Sequence, residues 1–225
     1  MTNYVGPTNV SLKVTRPVPW KRRNAEPLPM DMVPILAVDP GGTTGWSLLV
    51  LPKTFMGESI WTYNQETLLK HKIEWQHGEI DCLKDELLGT YNLKQLIDSW
   101  PSAIVVMEGF QLRQMAVDLA PVRIIARIED HLWRNGRPMV TQMPAMKATV
   151  NDQRLKLWNV YTSAGGLQHA RDADRHALVF MRRCLERKGI DLRSAAWPHL
   201  YGDDVSDNVV KIRTHGNRKA VGHNG

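Results

Sequence analysis

Cysteine is nearly missing from this chain: Cys82 and Cys184 are the only two. Lying far apart, they can build neither a disulfide framework nor a Cys-x-x-Cys zinc site, so any metal must be held by oxygen or imidazole. Long apolar runs are also lacking, and none approaches the roughly 20 residues that a membrane-spanning helix requires. The start, MTNYVGPTNVSLKVTRPVPWKRRNAEP, has prolines and charges where a secretory leader needs an apolar stretch, so the expected location is a cytoplasm. Acidic residues are the scarcer charge, 23 Asp and Glu against 29 Lys and Arg, which leaves a net charge of +6. That surplus suits a polyanionic partner and says nothing about fold.

What is present suffices for one domain. A chain of 225 residues with 43% hydrophobic and 23% charged residues buries a full core with little left for a second. Residues 1 to 33 are proline-rich without a clear period and read as an extended or disordered arm. The body is expected from 34 to 190, and residues 191 to 225, with their KIRTHGNRK run, as a basic tail. Within the body, ILAV, a Gly/Thr turn and WSLLVL give two strands joined tightly. HKIEWQHGEI supplies a third strand, with Ile73, Trp75 and His77 on one face. The spacing of Ile80, Leu83, Leu87, Leu88, Leu93, Leu96 and Ile97 predicts a helix from 79 to 100, broken near GTYN and stopped by Pro101. SAIVVME reads as a buried strand, and 114 to 134 as a long helix capped by Asn135-Gly136. A short strand in RPMVTQ follows, then one or two short helices, then a helix from His169 closed by Gly189. Strands first, then strands alternating with helices, predict an α/β fold whose mixed central sheet is flanked by helices on both faces.

Acidic residues end two of the apolar strands. Strand ends open into the crevice where sheet proteins place their chemistry. Asp39 closes ILAV and Glu108 closes AIVVM. Alone, the first reads as a turn residue and the second as a solvated loop charge; at equivalent strand ends they read as a pair. A third group comes from the helix at HARDADRH. Residues at i, i+3 and i+7 share a helical face, so His169, Asp172 and His176 line up while Asp174 points to nearly the opposite side. The plainer reading makes Asp172 and Asp174 favourable charges in a first turn. Asp, Glu and an Asp with a nearby His form the donor set of Mg²⁺ or Mn²⁺, which take oxygen ligands and keep positions open for water and phosphate. Two such ions about 4 Å apart activate a water and stabilise the leaving oxygen of a phosphodiester.

These stretches together resemble the RuvC-type Holliday-junction resolvases. ILAVDPGGTTGWSLL is similar to that family's first strand and turn, AIVVMEGF to its second acidic strand, and HARDADRHAL to its final helix. PAMKATV is similar to the stretch that carries a DNA-contacting lysine, Lys147 here. Spanning about Ile35 to Arg187, the resemblance implies an RNase H-like fold, a homodimer, dependence on Mg²⁺ or Mn²⁺ with two ions per site, and paired nicking of four-way DNA junctions. It implies Asp39, Glu108, His169 and Asp172 as the catalytic and metal-holding set. One departure concerns the aromatic that the family places three residues after its glutamate: Phe110 stands two after Glu108, and Gln111 takes the third position. The arm and the tail also lie outside the pattern; a phage-type variant would account for them.

On this reading His169 is a ligand or a proton donor and acceptor, the plainer alternative being a histidine that caps or packs. His176 is a partner of a ligand rather than a ligand. Lys147, Arg113, Arg154 and Arg171 are candidates to neutralise the DNA backbone. Phe110 either stacks on a base or packs in the core. Thr43 and Thr44 contact phosphate or serve the turn, and the helix at 114 to 134, with Met115, Leu119, Val122, Ile125 and Ile128, supplies the dimer interface or packs on the sheet. Three other functions are open. A nuclease of the same fold could act on flaps, forks or RNA hybrids, and a non-catalytic module could hold branched DNA. DPGGTTG also resembles the phosphate loop of actin-like ATPases and sugar kinases, but those need two such domains to clamp a nucleotide.

Overall fold

The computed structural model describes residues 11–14, 31–53, 73–111, 118–158, 160–161, 167–185 and 190–201. Its centre is strand β2 (Met32–Asp39), buried from Val33 onward. Alternate side chains point to opposite faces of a strand. Val33, Ile35 and Ala37 accordingly enter one core and Leu36 and Val38 the other. A strand apolar on both faces has to be covered on both. β3 (Thr43–Pro52) returns antiparallel from the turn, and β4 (Glu74–Asp81) pairs antiparallel with β3. On the other side β5 (Ile104–Glu108) runs parallel to β2, and β6 (Met139–Gln142) parallel to β5. The order β4-β3-β2-β5-β6 with these directions is that of an RNase H-like sheet. Within the stretch expected as an arm, β1 (Ser11–Val14) adds a sixth strand, parallel to β4.

Helices α1 (Glu86–Asp98) and α2 (Ala120–Arg134) cover one face through Leu93, Leu96, Ile97, Ile124, Ile128 and Leu132. The other face carries a 3₁₀ turn (Pro144–Thr149), α3 (Asp152–Leu157) and α4 (Gln168–Leu185). α5 (Ile190–Ala196) and α6 (Pro198–Tyr201) complete that layer. The body therefore runs past residue 190, because Trp197 and Tyr201 are buried in the same cluster as Phe180. Residues 202 to 225, the rest of the expected tail, lie outside the described residues.

The helix expected from 79 to 100 begins later. Glu79 and Ile80 remain in β4, where they pair with Gly45 and Thr44, and Asp85 caps α1 by accepting the Leu88 amide at 2.9 Å. The apolar spacing misled because Ile80 is core in a strand whereas Leu83 and Leu87 are exposed. No break occurs at GTYN either. Gly89 lies where a Cβ would come within 2.4 Å of the Cys82 sulfur, so glycine is there for close approach and not for a kink.

α4 is fastened to the sheet by a buried polar cluster. Asp174 is fully buried; its Oδ1 accepts the Trp75 indole N–H at 2.8 Å, and its Oδ2 accepts His77 Nδ1–H at 2.6 Å. The same indole N–H reaches Ser47 Oγ at 3.1 Å. Asp174 does face away from Asp172, into the core and not into solvent as a first-turn charge. Burial disfavours the charged His77 ring, but the Asp174 carboxylate outweighs it and raises the His77 pKa. A raised folded value supplies stability that is complete below the ordinary histidine value of 6.5 and is lost as pH rises through the folded value. His77→Gln, measured by urea unfolding at pH 6 and pH 9, is expected to flatten that decline. An unchanged slope would assign the pH dependence to another group.

Candidate functional site

Asp39 and Glu108 are the last residues of two parallel neighbours, β2 and β5, whose preceding residues Val38 and Met107 are register partners. The two carboxylates thus leave the sheet side by side at its C-terminal edge, the usual place for a site in such sheets. Asp39 is also opposite Gly45 on β3. Over Gly45 lies the first turn of α4: a Cβ there would fall 2.0 Å from the His169 carbonyl carbon and oxygen and 2.6 Å from the Ala170 nitrogen. Ala170, Ala173 and Ala177, all fully buried, continue this small-residue face, and Phe180 and Met181 fill the space further along. The helix start is therefore held against the strand ends. Glu79 on β4 fixes it by accepting the His169 backbone N–H at 3.1 Å, one of the amides a helix leaves unpaired.

This packing gathers the residues singled out from the sequence. The Lys147 ammonium, on the 3₁₀ turn after β6, lies 2.9 Å from Glu108 Oε2, 2.7 Å from Asp172 Oδ2 and 3.7 Å from Asp39 Oδ1. Three carboxylates from three separate elements thus face one positive charge. Each also has a lateral partner. His169 Nδ1 is 2.9 Å from Asp39 Oδ2. His176 Nε2 is 2.7 Å from Glu108 Oε2, and its Nδ1 is 2.7 Å from the Gln142 amide oxygen. Arg175 pairs with Asp172 and, through its other nitrogen, with Asp152 at the start of α3.

The electrostatics follow from crowding. Burial raises the Asp39 pKa above the ordinary carboxyl value, and the neighbouring Glu108 charge raises it further, against the His169 hydrogen bond. Glu108 goes the other way: burial opposes ionisation, but hydrogen bonds from His176, Lys147 and Asp39 hold it down at about 2. The Asp39 hydrogen bond raises the His169 pKa, and the surrounding carboxylates raise that of Lys147 against its burial. Two like charges held together push their pKa values apart. One ammonium does not neutralise this cluster.

Not every expected residue joins it. Phe110 is exposed just beyond Glu108 and belongs to neither core. Thr44 serves the turn, its hydroxyl donating to the Gly41 carbonyl at 2.9 Å. The Arg171 guanidinium lies over the Tyr161 ring at 5.3 Å, and Arg154 is half-buried on α3. Arg113 lies outside the described residues. An open cleft of about 620 Å³ adjoins the cluster, lined by Lys147, Asn151, Asp152, Asp172 and Arg175 among others. Sequence reasoning missed Gln142, Glu79 and Arg175. Gln142 ends β6 in register with Glu108, so the strand-end argument extended one strand further would find it. Arg175, three residues after Asp172, was open to the helical spacing rule. Glu79 gives no local signal.

Asp39, Glu108, Asp172 and the His169 ring offer the oxygen and imidazole donors that Mg²⁺ or Mn²⁺ accept. As they stand they surround an ammonium: among the described residues, no three His, Cys, Asp or Glu side chains form a ready-made metal site on their own. The ammonium marks where a cation is attracted, with oxygens of three carboxylates turned toward one point. By this test the residues fit a divalent ion. No helix of the described residues is long and apolar enough to cross a membrane.

No protein-family model matches the chain, and no curated protein matches it. Among solved structures it is similar to Thermus thermophilus RuvC, at 11% identity and a TM-score of 0.48, covering 68% of this chain and 95% of that one. The T. thermophilus RuvC structure in complex with Holliday junction substrate gives 9% identity and a TM-score of 0.47 over the same shares.

Proposed function

We propose that this protein is a divalent-metal-dependent endodeoxyribonuclease that resolves four-way DNA junctions as a homodimer. One observation carries the reading: Asp39, Glu108 and Asp172 converge on a single cation at the C-terminal edge of the sheet. These three, with His169 beside them, would hold Mg²⁺ or Mn²⁺. Such ions, when bound, activate a water and stabilise the leaving oxygen of a phosphodiester.

The chain's own groups do the rest. Asp39 orients the His169 ring through Nδ1, which leaves Nε2 to hold or pass a proton. Arg175 and Asp152 keep Asp172 turned toward the cluster. Lys147 belongs both to the cluster and to the adjoining cleft, so a backbone phosphate lying in that cleft can share its charge. Arg154 and Arg171 extend the positive surface. Phe110, exposed beside Glu108, can stack on an opened base.

Paired nicks need two sites related by a twofold axis. Leu83 and Leu87 before and within α1, Tyr91 on α1, and Leu119 and Val122 around the start of α2 are exposed apolar side chains. The Glu86 carboxylate, bound by Arg123 and Arg127, ties these two helix starts together. Burying them against a second copy accounts for their exposure in one chain. Ile128, by contrast, packs on the sheet.

The test is incubation of the full chain with labelled four-way, forked and linear DNA, with and without Mg²⁺, alongside its mass in solution. Symmetric nicks in the junction that require Mg²⁺, from a dimer, are expected. Preference for flaps or forks would move the substrate within the same chemistry. Cleavage of none of the three with Mg²⁺ or Mn²⁺ would remove the enzyme reading.

A further inference from the structure

A buried chain of polar groups leads from β6 through α4 to one oxygen of the carboxylate cluster. Gln142 and His176 are both fully buried, and neither reaches solvent or the cleft. His176 Nε2 lies 2.7 Å from Glu108 Oε2, and Nδ1 lies 2.7 Å from the Gln142 side-chain oxygen. The Gln142 amide nitrogen, also buried, has no partner in this orientation. An N–H left buried and unpaired is unfavourable. The oxygen and nitrogen of a glutamine amide exchange places on a 180° turn; in that orientation the –NH₂ donates to Nδ1, and Nε2–H donates to Glu108. The donor pattern becomes consistent along the whole chain, because an ionised Glu108 can only accept.

We propose that His176 is a positioning residue for the metal-holding carboxylate: Gln142 donates to Nδ1, which fixes the Nε2–H tautomer, and that N–H sets the direction of Glu108. The idea rests on the nuclease reading above and adds to the partner role that helical spacing gives His176 the buried Gln142 and the direction of each hydrogen bond. Its chemistry is that of outer partners which orient a ligand without touching the ion, and loss of such partners typically costs about 10- to 100-fold in metal affinity or activity. Register supports it. Gln142 pairs with Glu108 across β6 and β5, and the Gly109 N–H donates to the Gln142 carbonyl at 2.7 Å, so both ends of the chain are set by one strand pair.

Three variants of the full chain test it: His176→Phe, which keeps the ring and loses both nitrogens; His176→Gln, whose amide can still donate to Glu108; and Gln142→Met. Each is measured for Mn²⁺ affinity by calorimetry without DNA, for thermal unfolding, and for kcat and KM on junction DNA. His176→Phe is expected to weaken Mn²⁺ binding about 10- to 100-fold and to lower kcat while KM for DNA stays within about twofold. His176→Gln should recover most of the affinity. Gln142→Met should show a smaller loss of the same sign, and the double variant His176→Phe/Gln142→Met should bind no worse than His176→Phe alone, since both act through one path. A role in packing alone would lower the unfolding temperature and leave the affinity of the folded protein unchanged. A folded His176→Phe with wild-type Mn²⁺ affinity overturns the proposal. Should that variant not fold, wild-type affinity in Gln142→Met does the same. Asp39→Asn separates the two levels: if it too binds Mn²⁺ and cleaves normally, the nuclease site itself is misassigned.

Discussion

Asp39→Asn or Glu108→Gln is expected to lower Mg²⁺-supported junction cleavage by at least about a thousandfold, equivalent to about 4 kcal/mol of lost transition-state stabilisation. Both positions close parallel strands side by side, and both carboxylates face the same cation. An amide keeps the shape and removes the charge. It also replaces one acceptor oxygen by a donor, which turns a favourable contact with a cation into an unfavourable one. Junction affinity should stay nearly unchanged, because affinity for a phosphate backbone comes mainly from Lys and Arg. The unfolding temperature without metal is expected not to fall for Asp39→Asn, since burial and the Glu108 charge make the Asp39 carboxylate a strained group in the folded state. Intact or raised stability with lost activity is the usual trade at a site built for function. Gel assays of cleavage and binding with both variants decide the matter. Full cleavage by both would discard the site.

Gly45→Ala is expected to be nearly as damaging although it touches no reacting group. The added methyl would sit 2.0 Å from the His169 carbonyl, inside any possible contact, and the obstacle is helix backbone that cannot rotate away. α4 must lift or tilt. Overpacking of this kind costs typically 1–3 kcal/mol, and rigid backbone on both sides puts it at or above about 3 kcal/mol. For a chain of this size each kcal/mol shifts the unfolding temperature by about 2–4 °C, so a fall of about 6–12 °C is expected. Where the variant is still folded, His169 and Asp172 are moved from Asp39 and Glu108, and a displacement of about 1 Å can cost about 100-fold in rate. Gly41→Ala is the control: its Cβ would meet only the Thr43 carbonyl oxygen at 3.3 Å. Wild-type stability and activity in Gly45→Ala would show that the helix does not rest on this residue.

Read locally, the chain discloses a good deal. The apolar run ILAV gives a strand, and acids at the ends of ILAVD and IVVME are visible without any fold. The i, i+3, i+7 spacing separates Asp172 from Asp174 by helical geometry alone, and in the structure Asp172 faces Lys147 while Asp174 binds Trp75 and His77. Local pattern failed where two elements share one apolar rhythm: Ile80 reads equally well as the start of α1 and as the end of β4, and only pairing with Thr44 settles it. Lys147 shows a different limit. Its basic side chain reads from the sequence as a phosphate contact, and only the fold shows that the 3₁₀ turn after β6 also sets it among the carboxylates.

By itself, then, the sequence determined which residues carry charge at strand ends and which face of the last long helix they share. It also determined that no Cys-x-x-Cys metal site can be built. Only the tertiary structure decided that these groups meet. Their convergence depends on the β2–β5 register, on Gly45 admitting a helix backbone, and on Glu79 and Gln142 reaching across the sheet layer. Each of these contacts joins residues distant in the chain, and hydrophobic periodicity carries no information about which distant segments will lie against one another.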